Sequence, residues 1–312
     1  MNFPFYIARR YLFSKKKHNA INIISGISVC GVALATLALV CTLSVFNGFQ
    51  DMVASFFTAF DPQLKITVRE GKVFDGQDKR IGVVCLLPEV DVFTETLEEN
   101  AMVQYKDRQA MVVLKGVEDN FEELTAIDSI LYGAGDFLLH DSIVNYGVMG
   151  VELVATLGTG LQFVDPLQVY LPKRNAKVNM ANPGASFNRD YLYSPGVVFV
   201  VNQQEYDGKY ILTSLDFLRQ LLDYTTEVSA IELKLKPGAN VSSVQAKIEK
   251  ILGNDFIVQN RYQQQADVFR IMEIEKLISY LFLTFILMIA CFNVIGSLSM
   301  LILDKKDDVV TL

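Results

Sequence analysis

AINIISGISVCGVALATLALVCTLSVF, residues Ala20 to Phe46, runs for 27 positions without an Asp, Glu, Lys, Arg or His. As a helix at about 1.5 Å per residue it covers roughly 40 Å, more than the ~30 Å hydrocarbon core of a bilayer. A second uncharged run of 27 residues, Leu277 to Leu303, lies near the other end. The 230 residues between them have ordinary globular composition. The pattern predicts a membrane protein in which two transmembrane α-helices flank one large domain.

Composition agrees. A hydrophobic content of 51% and a mean hydropathy of +0.28 are high for a soluble protein and low for a polytopic one. The net charge of −7 hides an asymmetry: Arg9, Arg10, Lys15, Lys16 and Lys17 precede the first span with no acid among them. The stretch from there to Leu303 holds 21 basic and 32 acidic side chains. An acidic domain repels nucleic acid, which excludes it as a partner class. Cys30, Cys41 and Cys291 fall in the spans and only Cys85 in the domain, so no disulfide is expected there. His18 and His140 are isolated, and no His/Cys cluster suggests a metal.

The basic start could pass for a secretory signal. The apolar run is about twice as long as a signal h-region, and no small-x-small site closes it, so the reading is an uncleaved anchor. FPFYIARRYLFSKKK, residues 3–17, is either an interfacial helix or a basic flank. Both place this end in the cytoplasm and the domain outside.

Amphipathic continuations carry each span into the domain. Phe49, Met52, Val53, Phe56, Phe57 and Phe60 recur at helical spacing until Asp61-Pro62 stops them. The expected order is a basic interfacial helix at 1–19, a span at 20–46 and a stalk helix at 47–61. An extracytoplasmic α+β domain follows at 62–261. A second stalk at 262–276, a span at 277–303 and the start of a cytoplasmic turn at 304–312 complete the chain.

Within the domain, strands are expected at Leu64–Val68, Gly82–Leu87 and Val90–Glu95, with a hairpin Ala101–Tyr105/Gln109–Lys115. Further strands are expected at Leu167–Leu171, Val197–Asn202, Tyr210–Leu212, Ile231–Leu235 and Ile257–Val258. Helices are expected at Glu118–Leu124, Val148–Leu157, Ser214–Tyr224 and Ser242–Leu252, with Ser214 as an N-cap. Strands and helices without strict alternation indicate an α+β fold.

Three surfaces stand out. Gly31, Ala35 and Ala38 share a face of the first span, and Asn293, Gly296 and Ser297 lie on neighbouring faces of the second; both sets suit helix packing. Val40, Leu43, Phe46, Phe49, Val53 and Phe56 either shelter acyl chains or pack on the second stalk. Lys173 to Pro195 is polar and aperiodic. Lys173, Arg174, Lys177 and Arg189 make it basic, and Asn182-Pro183-Gly184 favours a sharp turn. It is either a projecting arm that meets a partner or a disordered loop.

Catalytic signatures are missing from the sequence. It has no G-x-x-x-x-G-K-[ST], G-x-S-x-G, H-E-x-x-H or G-x-G-x-x-G. Glu98-Glu99 and Glu122-Glu123 suit a solvated surface. His140-Asp141-Ser142, being consecutive, lacks triad geometry. No catalytic residue is assigned, and a non-enzyme is expected.

Four stretches resemble one family. Phe5 to Phe49, closing in Asn47-Gly48-Phe49, is similar to a basic R-Y-L helix followed by an I-S-x-x-G-V-A-type span. Gly150-Val151-Glu152-Leu153 with Leu157-Gly158 resembles a "G-x-x-L…L-G…G-D" segment, with Asp165-Pro166 where Gly-Asp is usual. Val198–Leu222 contributes a strand, Glu205-Tyr206-Asp207 and Leu221-Leu222. Phe292–Leu312 resembles a span entering a charged turn. Together they resemble the lipoprotein-releasing system transmembrane protein family (LolC/LolE type) of ABC transporter permeases, in the FtsX/MacB-like class. The family continues for two more spans, so relative to it this chain is expected to be C-terminally truncated, either as a fragment or as a naturally short form.

The resemblance implies a periplasmic core domain of MacB-like type in the bacterial inner membrane. It implies no cofactor of the chain's own, with ATP used by a separate cytoplasmic ATPase subunit. The charged turn at Asp304, Lys305, Lys306 and Asp307 would meet that ATPase. The other implied partners are a second or related permease, a lipoprotein substrate and a periplasmic carrier, the carrier being met near the arm. The alternatives are an efflux or mechanotransmission permease, or a membrane-anchored sensor.

Overall fold

The computed structural model describes Tyr6 and residues 19–58, 60–173 and 186–304. Helix α1 (Asn19–Thr58) leads to β1 (Leu64–Val68), β2 (Phe74–Asp75) and α2 (Lys79–Cys85). Then come β3 (Val90–Tyr105), β4 (Arg108–Val117), α3 (Phe121–Leu124), β5 (Leu131–Gly133), β6 (Val148–Met149) and α4 (Val151–Leu157). The middle of the chain supplies β7 (Leu167–Pro172), β8 (Phe187–Leu192), β9 (Val197–Phe199), α5 (Gln204–Asp207), β10 (Tyr210–Ser214) and α6 (Leu215–Leu222). Last are β11 (Glu227–Val228), β12 (Ala230–Leu235), α7 (Val241–Leu252), β13 (Phe256–Asn260), α8 (Arg261–Gln264) and α9 (Ala266–Asp304). The chain forms two compact units, one holding the two chain ends up to Asp51 and from Asp267, the other Met52–Ala266.

The first unit contains most of α1 and α9, which pack antiparallel. Ser28 Oγ donates to the Asn293 carbonyl (3.4 Å), and Lys276 Nζ donates to Asn47 Oδ1 (2.7 Å). Covered positions step by three and four along each helix: Ser28, Gly31, Ala35, Ala38, Thr42 and Phe46 on α1, and Ser279, Leu283, Leu287, Ala290, Val294 and Ser297 on α9. That spacing traces one stripe along each helix, the seam on which the two meet. Beside Gly31 no heavy atom lies within 4 Å of where a Cβ would stand, so the contact is not a close backbone approach at that glycine. Large apolar side chains such as Leu34, Leu37, Val45, Phe282, Phe285 and Phe292 point outward and stay exposed. An apolar exterior around hydrogen-bonded helices suits hydrocarbon.

In the second unit one mixed sheet runs β13-β1-β12-β3-β4-β10-β6, and β7 and β8 join along the far end of β3. Only the β4–β10 pairing in that path is parallel. β3 is long enough to serve two neighbours on one edge. Its first half pairs with β12, and Met102–Gln104 pair with β7. Each half builds its own core. One gathers Leu97, Val103, Leu114, Leu167, Ile211 and Leu218; the other gathers Leu64, Ile66, Ile81, Val84, Leu233 and Ile248. Ser214 Oγ accepts from Phe217 N (3.2 Å) and starts α6, whose Phe217, Leu218, Leu221 and Leu222 are buried.

Three local expectations change. Gly82–Leu87 is not a strand but the body of α2. Asp78 accepts from Arg80 N and caps it, and Ile81 and Val84 meet Val244 and Ile248 at helical spacing. Packing against α7 overrides the strand preference of its β-branched residues. Val148–Leu157 is not one helix: β6 pairs with β10, and α4 begins after Gly150 and closes at Gly158, whose φ of +66° is left-handed. The aperiodic stretch after Lys173 contains β8, which pairs residue for residue with β7.

Candidate functional site

Two short segments of the domain unit, Phe60-Asp61-Pro62 and Arg261–Gln265, follow α1 and precede α9 in the chain. The sequence fixes both. Pro62 has no N–H to extend a helix. Asn260 and Gln263 form a reciprocal capping box that starts α8. The Phe60 ring is buried among Phe199, Tyr206 and Tyr210, with centroids 5.4, 4.5 and 5.5 Å away. Asp61 is buried beside it.

A buried carboxylate needs donors, and Asp61 has them. The Tyr206 hydroxyl donates to its two oxygens at 2.8 and 2.9 Å, and Gln265 Nε2 donates to Oδ2 at 2.9 Å. Gln265 Nε2 also reaches the Tyr206 hydroxyl oxygen (2.5 Å), closing a triangle. Arg261 Nε donates to the Asp61 carbonyl (3.2 Å) and Gln264 Nε2 to that of Pro62 (3.3 Å). Burial raises the Asp61 carboxyl above its ordinary value; the bonds from Tyr206 and Gln265 oppose this. Burial beside Asp61 likewise pushes the Tyr206 hydroxyl upward.

Tyr206 is held from behind. Asp207 accepts from Val201 N (2.8 Å) and Gln203 N (3.2 Å). On the far side of α5 lies Gly150, where a Cβ would stand 2.4 Å from the Asp207 carbonyl oxygen. Only a bare Cα admits that approach. The sequence motif at Gly150 therefore has a packing cause.

A charged layer adjoins the aromatic group. Lys65 on β1 is opposite Glu232 on β12, and Glu98 on β3 is opposite Lys115 on β4. Alternation along β1 sends Leu64 and Ile66 into the core and Lys65 to the other face. Lys115 Nζ lies 2.7 Å from Glu232 and 3.9 Å from Glu98; Lys65 Nζ lies 2.9 Å from Glu98 and 3.9 Å from Glu232. The Lys115 ammonium also sits 5.1 Å from the Phe60 ring centroid and 5.3 Å from that of Phe121. Burial works to raise the Glu98 carboxyl, but Lys65 and Lys115, with hydrogen bonds from Lys65 and Tyr210, bring it down to about 2. Glu98 is thus no solvated surface acid, because alternation turns it toward two lysines.

The predicted site residues scatter. Leu43 and Phe46 are half-buried, whereas Val40 and Phe49 are exposed. Val53 and Phe56 belong to α1. Of the helix-packing set, Ala35 and Ser297 are buried and Gly31 and Ala38 half-buried, whereas Asn293 and Gly296 are exposed. Of the arm, Lys173 is exposed at the end of β7 and Arg189 is exposed on β8 opposite Tyr170. Arg174, Lys177, Asn182, Pro183 and Gly184 lie outside the described residues, as do Lys305, Lys306 and Asp307. Asp304 ends α9. His140 pairs with Asp119 (3.0 Å), while Asp141 accepts from Ile143 and Val144 N to shape a turn. Among the described residues no three His, Cys, Asp or Glu side chains form a metal cluster. The Asp61–Tyr206–Gln265 triangle was not visible in the sequence. Asp61-Pro62 marks a helix stop there, and nothing in the order of residues ties position 61 to 206 or 265.

Two long apolar helices bracketing a split-core α+β domain define a membrane-anchored protein with an extracytoplasmic domain. Residues 25–251 match the model of the MacB-like periplasmic core domain, and the chain belongs to that family. The lipoprotein-releasing system transmembrane protein LolC of Xylella fastidiosa is 22% identical over 316 aligned positions, covering 98% of this chain and 72% of that protein. LolE of Haemophilus influenzae is 23% identical over 319 positions, covering 99% and 73%. The periplasmic region of MacB from Actinobacillus actinomycetemcomitans superimposes at a TM-score of 0.44 with 10% identity, covering 68% of this chain and 94% of that one.

Proposed function

We propose that the chain is the permease subunit of an ABC-type transporter that extracts lipoproteins from the inner membrane and passes them to a periplasmic carrier. The observation that carries this reading is the alignment of nearly the whole chain, helices and domain together, with proteins named as lipoprotein-releasing permeases. The chain is not itself an enzyme in this reading. A separate cytoplasmic ATPase hydrolyses ATP and engages the turn at Asp304, Lys305, Lys306 and Asp307. A second copy or a related permease completes the transporter. The five basic residues before the first span favour a cytoplasmic N-terminus and a periplasmic domain.

Substrate acyl chains would meet the chain where α1 presents apolar side chains outward, at Val40 and Phe49. The basic arm between β7 and β8 would meet the carrier. A photo-crosslinker at Phe49 tests the substrate assignment. Irradiated without ATP it should capture a lipid-modified lipoprotein, and the yield should fall when ATP is added before irradiation. Capture of α9 alone would refute the assignment.

A further inference from the structure

We infer that the Asp61–Tyr206–Gln265 triangle is the coupling joint through which movement of the two membrane helices enters the periplasmic domain; this rests on the permease reading above. Residue 61 lies on the connection between α1 and β1, and residue 265 lies between α8 and α9, just past the last strand. A shift of either helix end therefore reaches the domain through these residues first. At that point the contact is polar and buried rather than apolar. Three side chains share four hydrogen-bond contacts, and two further bonds hold the carbonyls of residues 61 and 62. Apolar packing tolerates sliding, whereas hydrogen bonds lose strength steeply with distance and angle. Such a joint has two distinct states, closed and broken, as transmission by discrete rearrangement requires.

Two routes lead onward. Tyr206 rides on α5, which is locked to the loop before it by Asp207 and pressed against Gly150 at the start of α4. Phe60 rests on Tyr210, whose hydroxyl lies 3.5 Å from Glu98 in the charged layer. A displacement at the triangle is thus delivered to α4 and to the sheet. Tyr206, Asp61 and Gln265 are positioning residues: none is proposed to touch substrate.

The test uses the full chain, co-expressed with its ATPase and reconstituted in liposomes carrying a fluorescent triacylated lipoprotein. Four variants are compared with the parent: Tyr206→Phe, Asp61→Asn, Gln265→Glu, and Asp61→Asn combined with Gln265→Glu. The single Gln265→Glu change sets two carboxylates against each other, and the double change exchanges carboxylate and amide across the pair. A lost hydrogen bond to a charged group corresponds to a roughly tenfold or greater shift in the closed population. Tyr206→Phe and Gln265→Glu should therefore lower lipoprotein release by about tenfold while ATP hydrolysis stays within about twofold, and the double variant should recover release. Mere destabilisation would lower both activities together and would not be rescued by the exchange. Unchanged release in both Tyr206→Phe and Gln265→Glu, or a double variant as poor as Gln265→Glu, overturns the joint.

Amide exchange provides a second measurement that does not depend on the substrate. With and without ATP, exchange at 200–207 and 259–265 should differ in the parent and not in Tyr206→Phe. An equal response in both, or none in the parent, overturns the joint. A parent that shows the exchange response and releases nothing overturns the permease reading and leaves the joint supported.

Discussion

Replacing Lys115 by methionine tests the charged layer at its most buried point. The Lys115 side chain is 2% exposed and that of Glu232 0%. Methionine follows the stem of the lysine and omits the ammonium. Among the described residues Glu232 then keeps the Thr96 hydroxyl at 3.4 Å and the Lys65 ammonium at 3.9 Å. Phe60 and Phe121 also lose the cation near their rings. Removing one member of a buried ion pair costs about 3–5 kcal/mol, because the other charge stays desolvated. At roughly 2–4 °C per kcal/mol for a domain of this size, the melting temperature should fall by about 6–20 °C. The double variant Lys115→Met with Glu232→Leu removes both charges, and its cost should shrink to about 1 kcal/mol or less. Urea unfolding of the full chain in nanodiscs, followed by tyrosine fluorescence, measures both; the sequence has 13 tyrosines and no tryptophan. A single variant that loses under about 1 kcal/mol would refute the reasoning. So would a double variant as unstable as the two single changes added together.

Three further outcomes are expected. The Glu98 carboxyl is held at about 2 against an ordinary 4.5, so its contribution is complete above pH 4.5 and is lost as pH falls toward 2; the full loss is about 3 kcal/mol. Asp61 acts with the opposite sign, so the check is the difference in stability between the parent and Glu98→Gln, which should narrow across that window; a constant difference would contradict the assignment. Cys85 is exposed on α2, and in a variant with no other cysteine it should react with an impermeant maleimide in cells whose inner membrane is intact. Reaction only after lysis would place the domain on the other side. Replacing 175–185 by a short Gly-Ser turn should abolish carrier binding while the domain stays folded, and undiminished affinity would end the arm proposal. The replacement stops short of Phe187 and Asn188, because Phe187 pairs with Pro172 and Asn188 Nδ2 donates to the Leu221 carbonyl (2.7 Å).

The sequence by itself determined the parts whose physics is local. Twenty-seven uncharged residues from Ala20 and again from Leu277 specify helices suited to a bilayer whatever surrounds them. Ser214, Gly158 and Pro62 mark ends of elements because a side-chain acceptor, a left-handed φ or a missing N–H acts within one turn. Tertiary structure decided the rest. Gly82–Leu87 has strand-forming residues, yet it became a helix because Ile81 and Val84 had a helix face to fill on α7. The polar stretch after Lys173 concealed β8, since the period of an edge strand with mostly polar side chains carries no hydrophobic signal. Glu98 read as a surface acid until pairing across β3 and β4 set it beside two lysines. Asp61, Tyr206 and Gln265 are separated by 145 and 59 residues. Only the closure of the sheet brings them together, and a buried carboxylate acquires its donors through that closure.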